Sequence, residues 1–246
     1  MVPIKRAVVV VAHPRSGTHI TLDFIRRNFP DFDPSLYLWQ SARELYVSLD
    51  TPEWREHLLR QARRSDHILM QSHLAGVQPL AAMAAVEYLQ PEEVVFIYPF
   101  RRYSATMKSL AAFCQYPGRV ESFLREKSTF FEGERSVEAC ALLHGERWIP
   151  RDPIFLDVDA LISQPDQAAE RLGDVLGLAP APLERRLPHR RIFYGKLAEA
   201  VQRVTGREST EVKVQYEKTW TDPGEAEAID DRFADLHHDL STRSVL

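Results

Sequence analysis

Cysteine, net charge and long apolar runs are all scarce in this 246-residue chain, and each scarcity removes a class of protein. Its two cysteines, Cys114 and Cys140, are too few for a disulfide framework and have neither a metal-site nor a redox spacing. They are expected to be two reduced thiols of a cytoplasmic protein. A net charge of −4 gives no basic field for non-specific binding of nucleic acid. No stretch is long and apolar enough to span a bilayer, and the run after Lys5-Arg6 is too short for a secretory signal. Internal repeats, low-complexity linkers and a Gly-Lys-Ser/Thr phosphate loop are also missing. What the chain does have is 44% hydrophobic residues, enough to bury one large α/β core.

The densest signal is at residues 7–18, where Ala7-Val-Val-Val-Val-Ala12 runs into His13-Pro14-Arg15-Ser16-Gly17-Thr18. A strand that turns through small polar residues into a helix aims main-chain N–H groups and the helix dipole at one spot, which suits a phosphate. Arg15 adds a cation, Ser16 and Thr18 add hydroxyls, and Gly17 permits close approach of an anion. Turns of this make-up also serve as plain connections.

Two further segments carry chemistry. Residues 67–74 read as an apolar strand ending in Ser72-His73-Leu74, and a strand-end histidine is either a base or a satisfied structural residue. Residues 94–100 read as a buried strand, followed by Arg101 and then a helix-like run holding Ser109. An arginine fork suits a terminal phosphate, and a serine two helical turns on can reach the same anion. Otherwise Arg101 caps the strand and Ser109 faces solvent.

His13-Pro-Arg-Ser-Gly-Thr-His19, in that order with His73 and the Arg101/Ser109 pair, resembles the sulfotransferases that use 3′-phosphoadenosine 5′-phosphosulfate (PAPS). The resemblance spans roughly residues 5–178 and is specific in the first hundred and ten. It implies that Arg15, Ser16, Gly17, Thr18 and His19 form the 5′-phosphosulfate loop. It further implies that Arg101 and Ser109 hold the 3′-phosphate and that His73 is the catalytic base, with Arg15 stabilising the leaving oxygen. His144 and Trp148 echo a weaker family segment. Three departures stand out: Gln71 replaces a lysine, Tyr103 replaces a proline, and no Gly-Asp-Trp follows the basic stretch at 189–196. Arg190 and Arg191 are candidate second 3′-phosphate contacts there, with Lys196 and Arg207 as substitutes.

The implied activity is transfer of a sulfuryl group from PAPS to a hydroxyl or amine of a small-molecule acceptor by in-line displacement, with no metal. Aromatics within 32–54 and 113–131 are candidates for an acceptor pocket or for core. The alternatives are a non-catalytic protein that binds PAPS or its product PAP, and a P-loop nucleotide kinase. The kinase would need a Walker lysine and Mg²⁺. The resemblance leaves a homodimer open.

Strand-like runs at 6–12, 67–72, 94–99 and 154–157 alternate with helical runs at 18–28, 39–64, 77–89, 103–115, 134–148 and 165–178. This pattern predicts a three-layer α/β/α fold with a central parallel sheet, and the resemblance implies that it is the P-loop NTPase-like fold of the sulfotransferases. Ligands of such sheets sit at the strand C-terminal ends, where His13–Thr18, Ser72-His73 and Arg101 all fall. One domain over 1–246 is expected, with its core at 5–178 and a helical appendage at 189–246. In that appendage Glu225–Leu240 reads as one helix with Ile229, Phe233, Leu236 and Leu240 on a single face. Its Asp230-Asp231 reads as a solvated pair, and adjacent His237-His238 diverge on a helix too far to share a metal.

Overall fold

The computed structural model describes residues 3–32, 47–73, 78–128, 135–182 and 223–246. Strand β1 (Arg6–Val11) is buried from Ala7 onward, as an uninterrupted apolar run must be when helices cover both faces of a sheet. It pairs in parallel with β3 (His67–Ser72) on one side and β4 (Glu93–Phe100) on the other. β2 (Val47–Ser48) extends the sheet beyond β3, and β5 (Ile154–Asp157) extends it beyond β4. The described sheet is thus five-stranded and all parallel, in the order β2-β3-β1-β4-β5.

Alternate residues of β1 feed two separate cores. Val8 and Val10 pack with α1 (Thr18–Asn28), α7 (Val158–Ser163) and α8 (Pro165–Leu176). Ala7, Val9 and Val11 pack with α2 (Trp54–Ala62), α3 (Gln78–Leu89), α4 (Tyr103–Phe113), α5 (Val120–Arg125) and α6 (Val137–Trp148). The chain moves one way along the sheet through α1 and returns through α2–α6, so right-handed crossovers put these helices on opposite faces. No helix among the described residues is long and apolar enough to cross a membrane.

Several elements differ from the sequence pattern, the short helix α7 among them, which that pattern does not contain. Within the expected helix 39–64, residues 47–48 form β2 and only Trp54–Ala62 is helical; residues 39–46 lie outside the described set. Val47 is buried against Met70 of β3, so its apolar character serves a strand too short to show a period of two. The short helix α5 was not foreseen. The Glu225–Leu240 helix is two helices, α9 (Pro223–Arg232) and α10 (Ala234–Thr242), with Phe233 between them at φ −110° and ψ 12°. Phe233 stacks on Tyr103 with ring centroids 4.3 Å apart and planes 6° from parallel, and that contact fixes the break.

Asp230 corrects another expectation, since it is no solvated pair member. Its carboxylate accepts the Ser104 main-chain N–H and the Ser104 hydroxyl, each at 2.8 Å, and so caps the start of α4. Glu225 does the same for α5 through the Glu121 N–H at 2.9 Å. His237 sets its ring edge against Phe100. Beyond α10, Ser244 bridges in parallel to Phe155, and the Val245 N–H donates to the Phe155 carbonyl at 3.0 Å, which covers part of the β5 edge.

Candidate functional site

β1 lies between β3 and β4, and the chain leaves it in opposite directions around the sheet, which opens a crevice at the strand C-terminal ends. The cleft there is lined by Arg15, Gly17, Thr18, His19, Ile20, His73, Arg101 and Ser109. Among the described residues, every one expected at the site except Ser16 lines it. Ser16 is buried and turned away, its hydroxyl and N–H both donating to the His13 carbonyl at 2.7 and 3.1 Å. It closes the turn rather than facing the cleft. A smaller hollow, lined by residues such as Arg26 and His67, sits at the opposite strand ends.

The loop geometry explains its glycine. Gly17 has φ +116° and ends the turn just before α1. A Cβ there would stand 2.6 Å from a methyl carbon of Val158, so both conformation and space demand glycine. Arg15 also takes a positive φ, +72°. No side chain caps α1, so its first N–H groups and positive dipole end belong to the cleft. The Thr18 hydroxyl is buried without a hydrogen-bond partner. A buried hydroxyl beside an uncapped helix start fits an anionic oxygen.

The cations are joined to one another. Arg101 donates to the Arg15 carbonyl at 2.8 Å and to the Ala105 carbonyl at 3.3 Å. Arg15 donates through Nε to the Ser109 hydroxyl at 3.1 Å and lays its guanidinium over the Phe113 ring, 5.3 Å from the centroid. Loop, strand end and α4 therefore form one linked frame. Tyr103 gives this frame its stack on Phe233.

His73 is half-buried and held from both sides. Its Nδ1–H donates to the Ala12 carbonyl at 3.0 Å, an arrangement that leaves Nε2 as the acceptor nitrogen. Its main-chain N–H donates to the Asp50 carboxylate, at 2.9 Å to the nearer oxygen. The Ser72 hydroxyl donates to the same carboxylate at 2.8 Å. Burial pushes the Asp50 carboxyl up, with His73 and these hydrogen bonds opposing. Sequence reasoning missed Asp50, and only the register of β2 on β3 reveals it. Gln71, in place of the family lysine, reaches Ser48 on β2 at 3.1 Å.

Behind the loop lies a second polar group. His13 is fully buried, and burial pushes its pKa down to about 3. Its ring stands edge-on to His144, with centroids 6.0 Å apart. His144 is pushed well below the ordinary histidine range by burial, and its Nδ1 shares a hydrogen bond of 3.0 Å with the Tyr98 hydroxyl. Trp148 packs on Phe96. Both residues of the weaker echo are thus core. Arg190, Arg191, Lys196 and Arg207 lie outside the described residues.

Fold and cleft together define an α/β protein with a cleft lined by Arg15 and Arg101 at the switch point of a parallel sheet. The fold is that of a sulfotransferase: the mouse sulfotransferase SULT7A1, solved in complex with PAP, superposes with a TM-score of 0.59 over 97% of this chain and 89% of its own. Sequence identity between the two is 16%. No family model and no curated relative matches the sequence.

Proposed function

We propose that the chain is a sulfotransferase that moves a sulfuryl group from PAPS to a hydroxyl or amine of a small-molecule acceptor, the whole chain acting as one cytoplasmic domain. One observation carries the reading. His73, with Nδ1 committed to the Ala12 carbonyl, shares a single cleft with the β1–α1 loop and with Arg101 and Ser109. The nucleotide supplies the sulfuryl group and the phosphate oxygen that leaves.

The chain's own residues do the rest. The α1 N–H groups and the Thr18 hydroxyl hold the 5′ end of the nucleotide, and Arg15 stabilises the negative charge that develops there. Arginine keeps its proton, so Arg15 acts as a cation and not as an acid. Arg101 and Ser109 hold the 3′-phosphate, and their bonds to Arg15 couple the two ends of the site. Nε2 of His73 accepts the acceptor's proton as the new sulfur–oxygen or sulfur–nitrogen bond forms. Phe113, 59% exposed beside Arg15, offers an aromatic surface at the cleft rim for the acceptor.

The test is a melting titration with PAP, run in parallel with ATP–Mg²⁺. PAP at a hundred times its dissociation constant should stabilise the fold by about 2.7 kcal/mol, and Arg101→Ala should weaken the shift. A protein that melts unchanged with PAP, or responds only to ATP–Mg²⁺, sinks the reading. A shift with PAP licenses a turnover screen with PAPS across phenols, alcohols and amines.

A further inference from the structure

Asp50 has no part in the mechanism above, yet it holds the main chain of the proposed base. The β2–β3 ladder ends where the Leu49 N–H donates to the Gln71 carbonyl at 2.9 Å. One residue later the Asp50 side chain takes over from the missing rung, accepting the His73 N–H at 2.9 and 3.2 Å and the Ser72 hydroxyl at 2.8 Å. The Thr51 hydroxyl donates to the Ser48 carbonyl at 3.0 Å, folding the chain so that the carboxylate meets β3. His73 is therefore clamped through its main chain by Asp50, just past β2, and through its ring by Ala12, just past β1.

We propose that Asp50 is a positioning residue for the transfer. Its carboxylate fixes His73 so that Nε2 faces the cleft, and its charge favours the imidazolium that His73 becomes on taking the acceptor's proton. The proposal rests on the transferase reading for its catalytic consequence, but the coupling of Asp50 to His73 has its own readout. Around His73 stand His13 and Arg15 of the β1–α1 loop, His19 of α1, His144 of α6 and Arg101 after β4. Among these described groups and Asp50, only Asp50 carries negative charge. Removing that charge weakens the hydrogen bond from the His73 N–H and withdraws support for the imidazolium formed during transfer.

The experiment compares wild type with Asp50→Asn, which keeps the shape, and Asp50→Ala, which does not. The His73 main-chain amide is followed by NMR, assigned with His73→Gln. PAP binding is followed by melting, and turnover is followed with PAPS and a panel of phenols and alcohols. Asp50→Asn should move the His73 amide proton upfield, because its charge-assisted hydrogen bond becomes a neutral one. It should lower kcat about 10- to 100-fold and leave the PAP-induced shift intact. Asp50→Ala should lower kcat further. An unmoved His73 amide in Asp50→Asn overturns the proposal, as does a loss of PAP binding that matches the loss of kcat. If wild type binds PAP and turns over no acceptor, the transferase reading fails, and the NMR comparison alone upholds or overturns the Asp50–His73 coupling.

Discussion

Behind the cleft, His13 and His144 meet ring edge to ring with centroids 6.0 Å apart and are fully buried, whereas His73 in the cleft wall is half-exposed and tied to main-chain carbonyl and carboxylate. Burial holds the rear pair neutral, His13 with a pKa near 3 and His144 well below the ordinary range. The wall histidine keeps one nitrogen committed and the other turned to the cleft. Identical side chains thus fill the core in one region and line the cleft in the other, and the neighbours decide which. A histidine in a sequence is informative only once its burial is known.

The sharpest way to break this contrast is at the wall. His73→Ala should lower kcat by about 10²- to 10⁴-fold while the PAP-induced rise in melting temperature stays as in wild type. Equal losses of turnover and binding would make His73 another structural residue.

The rear pair should show itself in acid stability. Unfolded histidine binds its proton below pH 6.5, while folded His13 waits until about 3. Between those values the unfolded chain holds more protons, so stability is full above 6.5 and is lost as pH falls. Each buried histidine then contributes a slope approaching about 1.4 kcal/mol per pH unit. Urea melts at pH 7, 6 and 5 should show the decline, and His144→Phe should flatten it.

Gly17→Ala tests the turn that joins the two regions. With φ at +116° and Val158 2.6 Å from the new methyl, it should cost about 1–3 kcal/mol and weaken PAP binding more than His73→Ala does. Isothermal titration with PAP and a urea melt separate those two effects. The mildest change is Tyr98→Phe, which removes the hydroxyl facing His144 and should cost about 1 kcal/mol by urea melt with turnover unchanged.

What was legible in the sequence sits at strand ends. The Val8–Val11 run, the turn after it, His73 and Arg101 each carry local signals, and a parallel sheet gathers them at one crevice. What was illegible depends on pairing or on distance. β2 has two residues, too few for any periodicity, so neither it nor Asp50 could be read. Ser16 looks like a ligand hydroxyl in sequence, and only the positive φ at Arg15 beside it turns it inward to His13. Asp230 resembles any surface acid until α9 lands on α4.

That last contact separates residues 126 apart in the chain. During synthesis the helix bearing Ser109 leaves the ribosome long before Asp230 exists to cap it. A nascent chain can therefore lay β1, β3 and β4 side by side while α4 still lacks its anchor. The cleft is thus local in its strands and long-range in its helix, whose first turn is anchored by a residue 126 positions further along the chain.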